Sequence, residues 1–260
     1  MRIIGRFSYL WGMKELIIRG LKAATDVLMP RTCVVCGERL LLDEDHICLE
    51  CLSDLPRTFF WQLSRNPMAD RLNDLIQKAQ PDVFEPYSYA SALFFYHSED
   101  AYSNIPQQIK YHRNIPAGTY FGDILGNALA SSNLFKDVDM VIPVPLHWAR
   151  RWKRGYNQAE AIAAAVASAL KAPLRTDALY RTRRTQTQTK LDPERKSKNV
   201  AGAFDIRKGL SADASIRHIL LVDDVFTTGS TMMACYSALR RIFPSSVRIS
   251  VATLAFVGDA

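Results

Sequence analysis

The stretch Ile219–Thr231, ILLVDDVFTTGST, restricts the fold more than any other part of the chain. Ile219, Leu220, Leu221 and Val222 form an unbroken apolar run, as in a strand covered on both faces. Two acids, Asp223 and Asp224, end that strand, and Val225 and Phe226 follow. The chain then turns through the small polar residues Thr227, Thr228, Gly229, Ser230 and Thr231 into a helical pattern. A buried strand leading through a short turn into a helix is the repeating unit of a parallel sheet.

Other segments fit the same plan. Tyr87–His97, Val138–Val144, Arg217–Val222 and Val247–Val257 read as strands, and Ile105–Tyr111, Gly118–Ser131, Gln158–Leu170 and Ser230–Ile242 as helices. The fold class expected is α/β, an open parallel sheet covered on both faces and preceded by a small cysteine module. At 260 residues the chain fits one large domain, or a small module joined to a medium one. Residues 1–57 are expected to hold an amphipathic helix and the cysteine module, 58–86 a linker or hood punctuated by prolines, and 87–260 the α/β domain. No run of about 18 apolar residues suggests a spanning helix. Leu10, Met13, Leu16, Ile17, Leu21, Ala24 and Leu28 recur at helical spacing, interrupted by charges, unlike a secretory leader. Packing of that helix on the protein is expected ahead of membrane-surface binding, and an intracellular location with it.

Four of the five cysteines, Cys33, Cys36, Cys48 and Cys51, fall in two C-x2-C pairs separated by eleven residues. Each pair can aim two thiolates at one ion from a tight turn, and two pairs complete a tetrahedral site. Structural Zn2+ is the expected occupant. Paired disulfides fit poorly with a reducing compartment, and an iron–sulfur cluster lacks any redox context. Four protein ligands leave no open position, so such a metal folds the segment and does not catalyse.

The turn after the acids has its own chemistry. Hydroxyl side chains, a glycine and free amides at a helix N-terminus make a cradle for a phosphate monoester. Asp223 and Asp224 would repel a phosphate, but they suit vicinal hydroxyls or a hydrated divalent cation. Phosphate and diol together describe a ribose 5-phosphate. Charge points the same way: residues 148–200 hold 13 Lys+Arg against 4 Asp+Glu, while the whole chain carries only +7. Such a basic segment fits a polyanion, either a phosphorylated small molecule or nucleic acid.

The 219–231 stretch resembles the phosphoribosyl-pyrophosphate (PRPP) motif of type I phosphoribosyltransferases. Three other features narrow the resemblance to the ComF family of competence-associated proteins: the four-cysteine ribbon, VIPVPL followed by Arg154-Gly155-Tyr156-Asn157-Gln158, and the spacing of Arg181, Arg183, Thr185, Gln188, Leu191, Arg195, Asn199 and Phe204. The resemblance implies a Rossmann-like phosphoribosyltransferase core, an Mg2+-dependent PRPP site and a cytoplasmic location. On it, Asp223 and Asp224 hold the ribose hydroxyls and 227–231 the 5-phosphate, with Val225 and Phe226 inside the motif. Arg154 and Arg195 are expected to contact phosphate, and Lys110, ending a helix, to reach the ligand. Breaking the C1 bond of PRPP leaves negative charge on pyrophosphate, which cations must stabilise. No general base for a nucleobase is recognisable. Two other readings stay open: a competence or recombination factor binding single-stranded DNA or DNA-processing proteins, with Trp148, Trp152 and Tyr156 interleaved among basic residues, and a PRPP-sensing regulator without catalysis.

Overall fold

The apolar runs pair side by side in one direction. In the computed structural model, which describes residues 26, 29–146, 151–152, 154–182, 202–207, 213 and 215–258, strands β1 (Ala90–Phe95), β2 (Met140–Pro143), β5 (His218–Phe226) and β6 (Arg248–Phe256) form a parallel sheet in the order β1-β6-β5-β2. A second, two-stranded antiparallel sheet pairs β3 (Leu179–Arg181) with β4 (Phe204–Ile206). Those two short strands carry no periodic signal, and the sequence reading did not anticipate them. The chain divides into two compact units, Met1–Leu55 and Pro56–Ala260. The expected N-terminal amphipathic helix falls largely outside the described residues. Among the described residues no helix is long and apolar enough to cross a membrane.

Strand β5 is interior, with Leu221 opposite Ile142 of β2 on one side and Val251 of β6 on the other. Its apolar residues are therefore buried on both faces. Ile219 and Leu221 join a core with helix α2 (Pro67–Ala79) and helix α6 (Ser230–Arg240). The alternate residues Leu220 and Val222, also fully buried, face the other way, on the side of helix α5 (Gln158–Leu170). Residues 58–86 contain α2, which Asn66 caps by accepting a hydrogen bond from the Ala69 amide. The Asn66 amide also donates to Ala90 O of β1 at 3.0 Å, and Met68, Ala69, Leu72 and Ile76 turn one face of the helix into the core.

On the opposite layer, α5 packs along helix α4 (Ile115–Ala130) through small residues. Gly118, Gly122 and Gly126 recur every fourth position along α4, facing Ala161, Ala165 and Ala169. A Cβ at Gly122 would lie 2.9 Å from Ala165 Cβ, and one at Gly126 2.8 Å from Ala169 Cβ. The axes approach too closely to admit a larger side chain. Gly122→Val is expected to cost about 1–3 kcal/mol by overpacking, read as a lower denaturation midpoint with an unchanged slope. A midpoint equal to that of the native protein would contradict this close approach.

Candidate functional site

The two acids do not end strand β5. Hydrogen bonding to β6 continues past them to Val225↔Ala255 and Phe226↔Phe256, so both lie inside the strand. Neighbouring strand residues point to opposite faces, and Asp223 and Asp224 follow that rule. Asp223 lies on the α6 side and opens to the cavity described below, while Asp224 lies on the α5 side and is only 4 % exposed. Burial and the neighbouring Asp224 carboxylate push Asp223 up to about 8, although the Asp224 amide donates to its Oδ1 at 2.9 Å. Asp224 Oδ1 meets Lys110 Nζ at 3.2 Å. Its Oδ2 is buried and accepts no hydrogen bond among the described residues.

Lys110 stands in the last turn of helix α3 (Asn104–Tyr111), where the helix dipole favours a cation. Burial opposes its charge, but Asp224 and Asp223 outweigh burial and raise its pKa above the ordinary lysine value. Ile105 and Ile109 on the buried side of α3 set the direction from which Lys110 approaches.

After Phe226 the chain turns through Thr227 to Gly229, and α6 begins at Ser230. Gly229 caps the helix with φ +80°, a conformation that favours glycine. The backbone amides of Thr227, Thr228, Gly229 and Thr231 donate to no other group among the described residues. The turn is therefore a set of unspent donors at a helix start, where the dipole favours an anion. Arg71 of α2 braces it from behind, donating to Thr227 O at 2.8 Å and to Val257 O at 3.0 Å. Sequence reading did not single out Arg71, because nothing local marks a cation that will meet two carbonyls far along the chain.

Acids and turn line one cavity of about 360 Å3 at the carboxyl ends of β2 and β5. Asp223, Asp224, Val225, Thr227, Thr231, Lys110 and Arg154 all face it. Arg154 donates to Gln158 Oε1 at 2.8 Å and lies over the Tyr111 ring, 5.3 Å from its centroid. Phe226, by contrast, is 1 % exposed and packs on Phe256 in the core. Thr228 and Ser230 bond to each other through their hydroxyls at 2.9 Å. Arg195 lies outside the described residues. Tyr96, Asn157 and Arg181 also line the cavity, and Asn157 holds the loop after β2 by donating to Val144 O at 3.1 Å. A second opening of about 610 Å3 shares Pro145, Leu146, Asn157 and Arg181 with the first and adds Arg151, Tyr180 and Arg207.

Within the smaller unit, the four cysteines gather as their spacing requires. Gly37, at φ +78°, turns the chain so that its amide donates to Cys33 O at 2.9 Å. Cys33 Sγ accepts from the amides of Val35 and Cys48, both at 3.4 Å. Helix α1 (Leu49–Ser53) starts at Cys48, whose sulfur accepts from the Cys51 amide. All four sulfurs lie within 4.8 Å of one another. A tetrahedral zinc with bonds of about 2.3 Å spaces its sulfurs about 3.8 Å apart, and Cys36 and Cys48 stand at 3.8 Å. Burial resists ionisation of Cys33, but the backbone amides outweigh it and bring that thiol down to about 7. Burial and the adjacent Cys48 thiol push Cys51 up. Four thiolates at this spacing need a cation, and the cluster could hold Zn2+ as a closed ribbon site.

Over 111 residues, 43% of its length, the chain is 32% identical to Competence protein F of Haemophilus influenzae. Over the same share it is 32% identical to DNA utilization protein YhgH of Escherichia coli strain K12 and 31% identical to the protein of that name from Salmonella typhi. The chain spans about half the length of these curated relatives, 48% for the first and 47% for the others. No protein-family profile matches the chain. The ComF-family resemblance is thus carried by homologues across that stretch.

Two outcomes are expected. Metal analysis should find about one zinc per chain, and Cys48→Ala should reduce it to a trace and expose the Val35 and Cys51 amides to hydrogen exchange. A fully protected ribbon without metal would contradict the assignment. For Asp223, the folded pKa lies above the unfolded value near 4, so the native state is penalised increasingly as pH rises from about 4 to about 8. Asp223→Asn should therefore be more stable than the native protein by about 1–3 kcal/mol near pH 8, with the gap narrowing towards about pH 5. Thermal melts at both pH values check this, and a gap that widens on acidification would refute it.

Proposed function

We propose that the chain binds PRPP, or a related ribose 5-phosphate ligand, in the cavity at the end of β5. The observation that carries this reading is one cavity lined by two acceptors and, beside them, a turn of open amide donors. In it the vicinal hydroxyls go to Asp223 and Asp224, and the 5-phosphate to the amides and hydroxyls of 227–231. Phosphate so placed meets the start of α6 and the diol meets the acids, so neither charge faces its own kind. Arg154 stands where a cation can meet the pyrophosphate, and Arg195 of the basic segment is assigned the same duty on the motif resemblance alone.

The reaction proposed is phosphoribosyl transfer. The bond from C1 to the pyrophosphate oxygen breaks, a bond from C1 to an acceptor nitrogen forms, and pyrophosphate leaves with the bonding pair. Mg2+, when present, screens the pyrophosphate. The chain's own part is to hold the sugar still while cations face the leaving group.

Calorimetric titration with PRPP, with and without Mg2+, tests the site, and a screen of nitrogenous bases for pyrophosphate release tests the chemistry. Replacing both Asp223 and Asp224 by Ala should weaken PRPP by at least about a hundredfold, near 3 kcal/mol. Unchanged affinity would refute the site. Binding without release for any base would favour the PRPP-sensing regulator.

A second reading draws on the names of the relatives, which concern competence and DNA utilization. It places single-stranded DNA along the larger opening, where Arg151, Arg181 and Arg207 stand beside Tyr180. Trp152, 83 % exposed, is free to serve as a stacking platform. Affinity for single strands that falls steeply with salt supports this reading, and no measurable affinity at low salt removes it.

A further inference from the structure

A buried carboxylate needs a cation, and in this site the chain supplies one. Lys110 Nζ stands 3.2 Å from Asp224 Oδ1, with side-chain exposures of 26% and 5%. The contact joins the end of α3 to the middle of the sheet, and Ile105 and Ile109 seat that helix in the core. A divalent metal bound to the same oxygen at about 2.1 Å would sit within roughly 5 Å of the ammonium. Two cations so close beside a buried carboxylate repel strongly. Asp223, in contrast, opens to the cavity, and Asp224 Oδ2, buried beside it, has no hydrogen-bond partner among the described residues.

We propose that Lys110 is the resident cation of the acid pair: it neutralises Asp224 in place of a divalent metal and holds the pair, which lines the cavity, in position for the ligand's vicinal hydroxyls. The assignment rests on the ribose reading above and deepens it, because it locates any metal requirement on the ligand's pyrophosphate and not on the acids. Lys110 is then a positioning residue. It holds one acceptor of the diol in place and need not touch the sugar.

Ribose 5-phosphate separates these cases, because it carries the diol and the monoester but no pyrophosphate to chelate metal. Calorimetry on the full chain, with and without Mg2+, is expected to give the same affinity within about twofold for the native protein. Lys110→Met should bind about tenfold more weakly without Mg2+ and recover on adding it, as the metal enters the vacated place. Lys110→Arg should keep the native affinity and its indifference to metal. A merely structural lysine would not create metal dependence on removal.

Native affinity that rises with Mg2+ would overturn the assignment, as would Lys110→Met weakened with no recovery. Should Lys110→Met fail to fold, as judged by circular dichroism, the native protein and Lys110→Arg decide: metal dependence in either overturns the assignment, and indifference in both upholds it. If the native protein fails to bind ribose 5-phosphate under either condition, the ribose reading itself falls. Metal-dependent binding by the native protein removes only the role of Lys110.

Discussion

Parallel hydrogen bonding of β5 between β2 and β6 is the constraint on which the rest of the larger unit depends. An interior parallel strand must be apolar on both faces, and it must reach its neighbours through helical crossovers. Those crossovers place α6 on one side, where α2 joins it from ahead of β1, and α4 and α5 on the other. They also leave the carboxyl ends of the strands open, since β1, β2 and β5 each depart there towards a helix. The cavity arises from that departure: β2 leaves through Val144–Leu146, β5 through the hydroxyl-rich turn, and the space between them is lined by both.

Electrostatics inside that cavity is divided by location. The acids are within the strand, where they displace apolar side chains and carry a desolvation cost. Lys110 offsets this at Asp224, while Asp223 stays exposed enough to meet a ligand. The donors are outside the strand, on a turn whose amides have no partner among the described residues. A sequence that placed the acids after the turn, or the turn before the strand, would bring acceptors and donors to different ends of the sheet. Strand, acids, turn and helix in that order bring them together.

Local patterns were legible and distant contacts were not. Helix Gln158–Leu170 coincides with its expected bounds, because an Ala-rich run behind the Asn157 cap is a local signal. The acid pair and the hydroxyl turn were legible for the same reason. The length of β5 was misjudged: hydrophobicity stops at Val222, whereas the ladder to β6 carries the strand through both acids to Phe226. Pairing with a neighbour, and not the residues' own preference, sets that boundary. The hold of Lys110 on Asp224 and of Arg71 on Thr227 O depends on elements far apart in the chain. Charge alone could nominate Lys110, but no sequence pattern reveals which carboxylate an exposed-looking lysine will meet. The cysteine spacing was a complete description of its cluster, since four ligands in two tight turns leave little else for the fold to decide.

The alternation of Asp223 and Asp224 across β5 has a mechanical meaning. One acid belongs to the layer of α2 and α6, the other to the layer of α4 and α5. A sugar bound as proposed, meeting both acids, would straddle the strand and link the two halves of the sandwich, as a staple joins two sheets of card. A ligand meeting both acids would therefore bear on both helical layers at once, through side chains of the central strand itself.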